Sequence, residues 1–183
     1  MKILITKISF VLLLAITLIS CDSHPSLQKY YVNNQGTPNF IAVDIPASIV
    51  SLKDADASDE VKETLKTIKK INFLGFQLKE DNVEEYNIEK QKVKEILKNP
   101  KYQELIRTSF DGKSLTIKYT GEEDAIDEVI LYGYDKELGF ALVRVLGDKM
   151  DPSKMVELAQ EIQVNSDNNA SLNQIESFLK DIQ

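Results

Sequence analysis

The sequence predicts an α+β domain, an about five-stranded and mainly antiparallel sheet with helices packed on one face. Three observations predict it. Between residues 114 and 146, three strand-like segments follow one another across short linkers containing Gly121 and Gly139, which leave room for hairpins but not for crossovers. On either side of them, apolar residues recur at spacings of three and four behind helix-starting residues, first Ser58 and later Asp151-Pro152. Two further runs rich in apolar and branched residues, NFIAVDI and INFLGFQL, bracket the first of these helices as strands would.

From the amino terminus, residues 1–20 read as a secretory signal. Lys2 and Lys7 precede an apolar run from Ile8 to Ile19, and the small residue Ser20 stands before Cys21. A membrane span needs about 20 consecutive apolar residues, and this run is shorter. The order Leu18-Ile19-Ser20-Cys21 resembles the lipobox of bacterial lipoproteins. That resemblance implies diacylglycerol on the Cys21 thiol, cleavage by signal peptidase II just before it, and a third acyl chain on the new amino group. One acyl chain holds a protein only marginally whereas two or more hold it stably, so such an anchor suffices by itself. Cys21 is also the single cysteine of the chain, which removes a disulfide as its role. The polar stretch 21–26, with Pro25, then serves as a tether.

Residues 27–163 are expected to form the domain. Leu27 to Asn34 reads as a short helix stopped by Gly36, and Asn39 to Ile45 as a strand closed by Pro46. Ser58 caps a helix with Asp59 and Glu60 in its first turn and Lys66, Lys69 and Lys70 at its end, and Val61, Leu65 and Ile68 share its buried side. Ile71 to Leu78 is the second strand. A helix from about Glu84 to Lys98 turns Ile88, Val93, Ile96 and Leu97 inward and stops at Pro100, and Tyr102 to Thr108 adds a helical turn or two. The meander follows as Ser114 to Thr120, Ile126 to Tyr134 and Gly139 to Leu146. In its first strand Leu115, Ile117 and Tyr119 alternate with Thr116, Lys118 and Thr120, which predicts one buried and one wet face.

Asp151-Pro152 opens a helix with an inward stripe of Met155, Leu158, Ala159 and Ile162. Residues 164–183 are a linker and a carboxy-terminal amphipathic helix. There, Ser171 and Gln174 have the spacing of a capping box, and Leu172, Ile175, Leu179 and Ile182 line one side for docking on the domain.

Composition and motifs narrow the chemistry. Cleavage before Cys21 removes Lys2 and Lys7 from the 22 basic residues, against 29 acidic ones, so the mature charge is about −9 and nucleic acid is not an expected partner. The single histidine, His24, lies in the tether, where nothing can orient it for catalysis or metal binding. Histidine-dependent nucleophile pairs and zinc sites are therefore not expected, and no phosphate-binding or dinucleotide glycine loop appears. Asp54, Asp56 and Ser58 alternate like calcium-loop ligands, but Asp59 stands where the loop needs glycine and Leu65 where it needs glutamate. Glu122, Glu123 and Asp124 occupy a hairpin turn, where solvated acids are usual. Tyr30, Tyr31, Tyr132 and Tyr134 offer a ligand platform on paper, but tyrosines at alternate strand positions more often cover one side of a sheet and keep the hydroxyl wet. No catalytic residue, cofactor or metal is expected.

Across residues 27–162, NFIAVDIPASIV, INFLGFQL, YQELIRTSFDGKSLTIKYTGEEDAIDEVILYG and GFALVRVLGDKMDPSKMVEL resemble the small bacteroidete lipoproteins grouped as domain of unknown function 4252. Tyr102, Leu105, Gly147 and the helix after Asp151 match the order of features in that family. The resemblance implies an envelope address and carries over no activity or catalytic residue. The expectation is a non-enzymatic binding or signalling accessory, lipid-anchored at the outer membrane, with another envelope protein as partner. Asp22 follows the cysteine, a placement that retains some lipoproteins at the inner membrane, so both membranes stay open. Two alternatives also stay open, a carboxylate-dependent hydrolase of envelope polymers and a small-ligand carrier.

Overall fold

The structure, a computed structural model, describes residues 25–54, 57–164 and 170–180. The elements run α1 (Leu27–Asn34), β1 (Phe40–Pro46), β2 (Val50–Leu52), α2 (Asp59–Thr67), β3 (Ile68–Gln77), α3 (Val83–Ile96), β4 (Gln103–Phe110), β5 (Lys113–Glu122), β6 (Ala125–Asp135), β7 (Gly139–Met150), α4 (Pro152–Glu161), β8 (Ile162–Val164) and α5 (Ala170–Lys180). The expected α+β class is what the chain adopts. Its main sheet has six strands in the order β1-β3-β7-β6-β5-β4, with every neighbouring pair antiparallel.

The meander β5-β6-β7 forms as its linkers require. Glu122 pairs with Ala125 across a tight turn, and Asp135 pairs with Gly139 across the next. Gly139 has a φ of +124°, and a Cβ there would collide with the Phe76 carbonyl oxygen on β3, so this hairpin needs glycine twice over.

Between the register shifts at Ile68/Lys70, Thr120/Gly121 and Ile126/Glu128, beyond which the parity changes, even-numbered and odd-numbered residues of β1, β3, β5, β6 and β7 point to opposite faces of the main sheet. The expected helical cover lies on the even face, where α1 and α3 enclose Leu74, Phe76, Ile130, Tyr132, Phe140 and Leu142. The odd face is covered as well, in two places. Over β1 and β3, Leu172 and Phe178 of α5 bury Val43, Ile45 and Phe73, so the carboxy-terminal helix docks on its own domain. At the other end of the strands, α2 and α4 gather Val61 and Leu158 around Tyr119, Ile126 and Met150.

Several expectations need correction. Residues 103–110 are not helical. They form the sixth strand, an edge strand whose eight residues are all exposed, and a shift of register at Leu105 hides its period of two. β3 begins at Ile68, so Lys69 and Lys70 belong to the strand and only Lys66 lies in the last turn of α2. Ile162 leaves the α4 stripe because the backbone extends there into β8, which pairs antiparallel with β2. Ile88 faces out of α3, 49 % exposed, because Tyr86, Glu89, Val93 and Ile96 set the buried stripe and residue 88 lies off it. α5 starts at Ala170, which puts Ser171 inside the helix. The last correction is the largest. On β5 the covered side carries Thr116 and Lys118, which are buried, whereas Leu115 is 37 % exposed and Ile117 only partly buried.

Candidate functional site

Among the described residues, the loops with alternating or clustered acids bring no group of metal-ligating side chains together. Ser58 Oγ accepts a hydrogen bond from the Val61 amide at 3.2 Å and caps α2, while Asp56 lies outside the described residues. Glu122, Glu123 and Asp124 are exposed at the β5-β6 turn. Cys21 and His24 also lie outside the described residues. Among those described, no group of three or more His, Cys, Asp or Glu side chains is placed to hold a metal ion, and no helix is long and apolar enough to cross a membrane.

What the fold does bring together lies under α1. A helix of this length is marginal by itself. It is held by four residues, each bonded to a distant element. The Leu27 amide donates to the Tyr102 hydroxyl at 3.1 Å, and Gln28 Oε1 accepts from an Arg144 terminal nitrogen at 2.7 Å. Tyr30 donates its hydroxyl to Glu89 on α3 and Tyr31 donates to Asp44 on β1, both at 2.9 Å. The network continues across the sheet in one register row, Asp44-Asn72-Arg144, with Asn72 donating to Asp44 and Arg144 paired with Glu128 on β6. Asn72 and Arg144 are 1 % and 4 % exposed, so these are core groups. Further along, Lys118 donates to the Tyr102 carbonyl at 3.0 Å and pairs with Glu104.

Three of the four tyrosines considered above are core residues, and Tyr134 is half-buried beside Lys94, whose ammonium stands 4.3 Å from its ring centre. Tyr132 departs from the expected wet hydroxyl, because its oxygen is buried with no hydrogen-bond partner. Burial raises the pKa of Tyr30, Tyr31, Tyr86 and Tyr132, whereas hydrogen bonding to Ser114 holds Tyr134 below the ordinary tyrosine value. The Tyr31 hydroxyl is pushed from 10.0 to about 12 by burial and by its bond to Asp44, and Tyr86 to about 12 by burial and the nearby Asp135. Tyr30 and Tyr132 are pushed up further, mainly by burial. An acid whose folded pKa is raised favours the protonated, folded form. The stabilisation is therefore complete below pH 10 and lost as pH climbs towards 12. Alkaline titration followed residue by residue through the tyrosine ring NMR signals, with circular dichroism alongside, is expected to show ionisation of Tyr30, Tyr31, Tyr86 and Tyr132 coinciding with unfolding in that window, and ionisation of any of these four near 10 in a still-folded chain would contradict it.

Among the described residues, two apolar surfaces stand open. One is a groove of about 1090 Å³ between α1 and α3, where Val83 and Ile88 stand half-exposed. The other is the odd face at the β4 edge. Val143, Leu131, Ile117 and Ile106 form one register row across four strands, ending at Ile106, which is 49 % exposed. Beside that row lies Leu115, and one row further, opposite Lys113 near the hairpin end of β4, Phe110 is 84 % exposed. Sequence reasoning missed this patch because it took Tyr102 to Thr108 for a helical turn or two and Leu115 and Ile117 of β5 for buried residues like Tyr119.

Comparison with known proteins gives one match. Residues 30–158 match a family model described as a domain of unknown function, DUF4252. No curated protein and no solved structure matches.

Proposed function

Because the chain belongs to the DUF4252 family, a domain whose function is unknown, we propose its function from its surfaces: a lipid-anchored accessory of the cell envelope that binds another protein and catalyses nothing. The anchor is lipid on Cys21, in the manner of bacteroidete lipoproteins, and the outer membrane is the address. The partner is an envelope protein that presents an extended apolar segment to β4.

One observation carries the reading. The chain covers Thr116 and Lys118 on one side of β5 and, on the other, buries Tyr119 but leaves Leu115 and Ile117 partly open beside an edge strand. Edge strands expose unpaired amides and carbonyls, and natural proteins guard them with charges, prolines or bulges. β4 has the bulge at Leu105, but that bulge brings its two charged residues, Glu104 and Arg107, onto one side, where they neutralise each other. From Thr108 to Phe110 the edge carries no charge, and an added strand there would cover Phe110 and extend the apolar row.

A photo-cross-linking residue at Phe110, in cells, tests it against the same residue at the exposed Glu63 on α2. One discrete envelope protein is expected from position 110 alone. The double substitution Ile106→Lys and Leu115→Lys alters exposed residues and is expected to cut the yield about tenfold with the fold intact. The proposal fails if the yield is unchanged. It also fails if the purified mature protein turns over peptidoglycan, a glycan or an ester and a single Asp or Glu substitution abolishes that turnover, since the carboxylate hydrolase would then be the function.

A further inference from the structure

The groove between α1 and α3 opens where the tether ends. Pro25 and Ser26 line its mouth, and Val83, Ile88 and Ile96 give it apolar walls along α3. Its volume, about 1090 Å³, is at the upper end of what a bound small molecule occupies. At about 1.5 Å per residue, α3 makes the groove roughly 20 Å long, enough for an elongated chain rather than a compact ligand.

Several of its polar lining side chains are already engaged: the Tyr30 hydroxyl donates to Glu89, Asn87 to the Val83 carbonyl, Gln91 to Glu95 and Lys92 to Glu89. The apolar walls are then what remains to recognise an occupant, and the one that fits their length is apolar and long.

Covalent geometry limits where such a chain can come from. Pro25 stands four residue steps after Cys21, and at no more than about 3.6 Å a step the covalent chain cannot exceed roughly 14 Å between Cys21 and this lining residue. Two acyl chains are enough for stable attachment to a bilayer, which leaves the third of a triacylated cysteine free to go elsewhere. We propose that the α1-α3 groove holds one acyl chain of the anchor on Cys21 of the same molecule, and so fixes how the domain stands on its membrane. This rests on the lipid-anchor reading above and adds to it a binding site for fatty acyl chains.

The test uses the full chain in cells fed a fatty acid with a terminal diazirine. Intact mass of the purified protein first reports acylation of Cys21. Illumination then fixes each acyl chain to what surrounds it. Cross-links from the Cys21 anchor to the segment 83–96 within a single molecule are expected, and Ile88→Glu, a change at a half-exposed position, is expected to reduce them about tenfold without altering acylation. An unacylated Cys21 overturns the anchor reading and this inference together. Acylated protein whose chains cross-link only to phospholipid, or whose groove is filled by a lipid from the bilayer, overturns the inference alone.

Discussion

Replacing Arg144 with alanine is expected to destabilise the folded domain by about 3–5 kcal/mol, the usual cost of removing one partner from a buried ion pair. Arg144 is 4 % exposed and Glu128 nearly as enclosed, so the substitution leaves a carboxylate inside the protein with no cation facing it. It also removes the donor that holds Gln28, loosening α1 at its first turn. A typical domain is stable by about 5–15 kcal/mol, so this loss is a large share of the whole. Arg144→Lys is expected to recover little, because an ammonium cannot reach Glu128 and Gln28 at once in the planar fork that a guanidinium supplies. Replacing both charges, Arg144→Met with Glu128→Leu, is expected to restore most of the stability, since a well-packed apolar pair avoids the desolvation cost. Urea unfolding of the four proteins measures this. An unfolding free energy for Arg144→Ala within about 1 kcal/mol of that of the unmodified protein would show that the pair is solvated in practice.

That network shows which parts of the fold could be read in advance. The meander was legible because its cause is local: a few residues between strands allow a hairpin and nothing longer, and residues 114–146 behave accordingly. The cap at Ser58 was legible for the same reason. Gln28, Tyr31, Asp44, Asn72, Glu128 and Arg144 come from five separate elements and meet only because the strand order sets β7 between β3 and β6. Nothing in the spacing of those residues announces it. β4 was missed for a different reason. Alternation is visible only when one side of a strand is buried, and every residue of QELIRTSF is exposed. The side of β5 that is covered was misread because hydrophobicity alone decided it, whereas Lys118 is enclosed with its ammonium bonded to the Tyr102 carbonyl. Of the candidate site, the hairpin position of Glu122, Glu123 and Asp124 was legible locally, and the two open surfaces emerged only from the tertiary arrangement.

The second large effect concerns α5, which lies beyond the residues matched by the family model. Phe178→Ala is expected to undock this helix, at a cost of about 3–5 kcal/mol for emptying a packed aromatic site. Phe178 is 1 % exposed, stands edge-on to Phe73 with ring centres 5.6 Å apart, and lies against the bare backbone of Gly75. A glycine within a strand often marks such a close approach, and INFLGFQL carried that signal in the sequence. A Cβ on residue 75 would come within 2.8 Å of the ring, so Gly75→Ala is expected to weaken the same contact from the opposite side. Each change uncovers Val43 and Phe73, so the altered chains should also associate more readily. Amide hydrogen exchange separates the two levels of effect. Protection is expected to fall first and furthest in residues 170–180, with the β5-β6-β7 meander keeping its own, because α2 and α4 bury a separate cluster at the far end of the sheet. Loss of protection throughout the main sheet in step with α5 would mean that the helix is an integral part of the core rather than a cover over two of its strands.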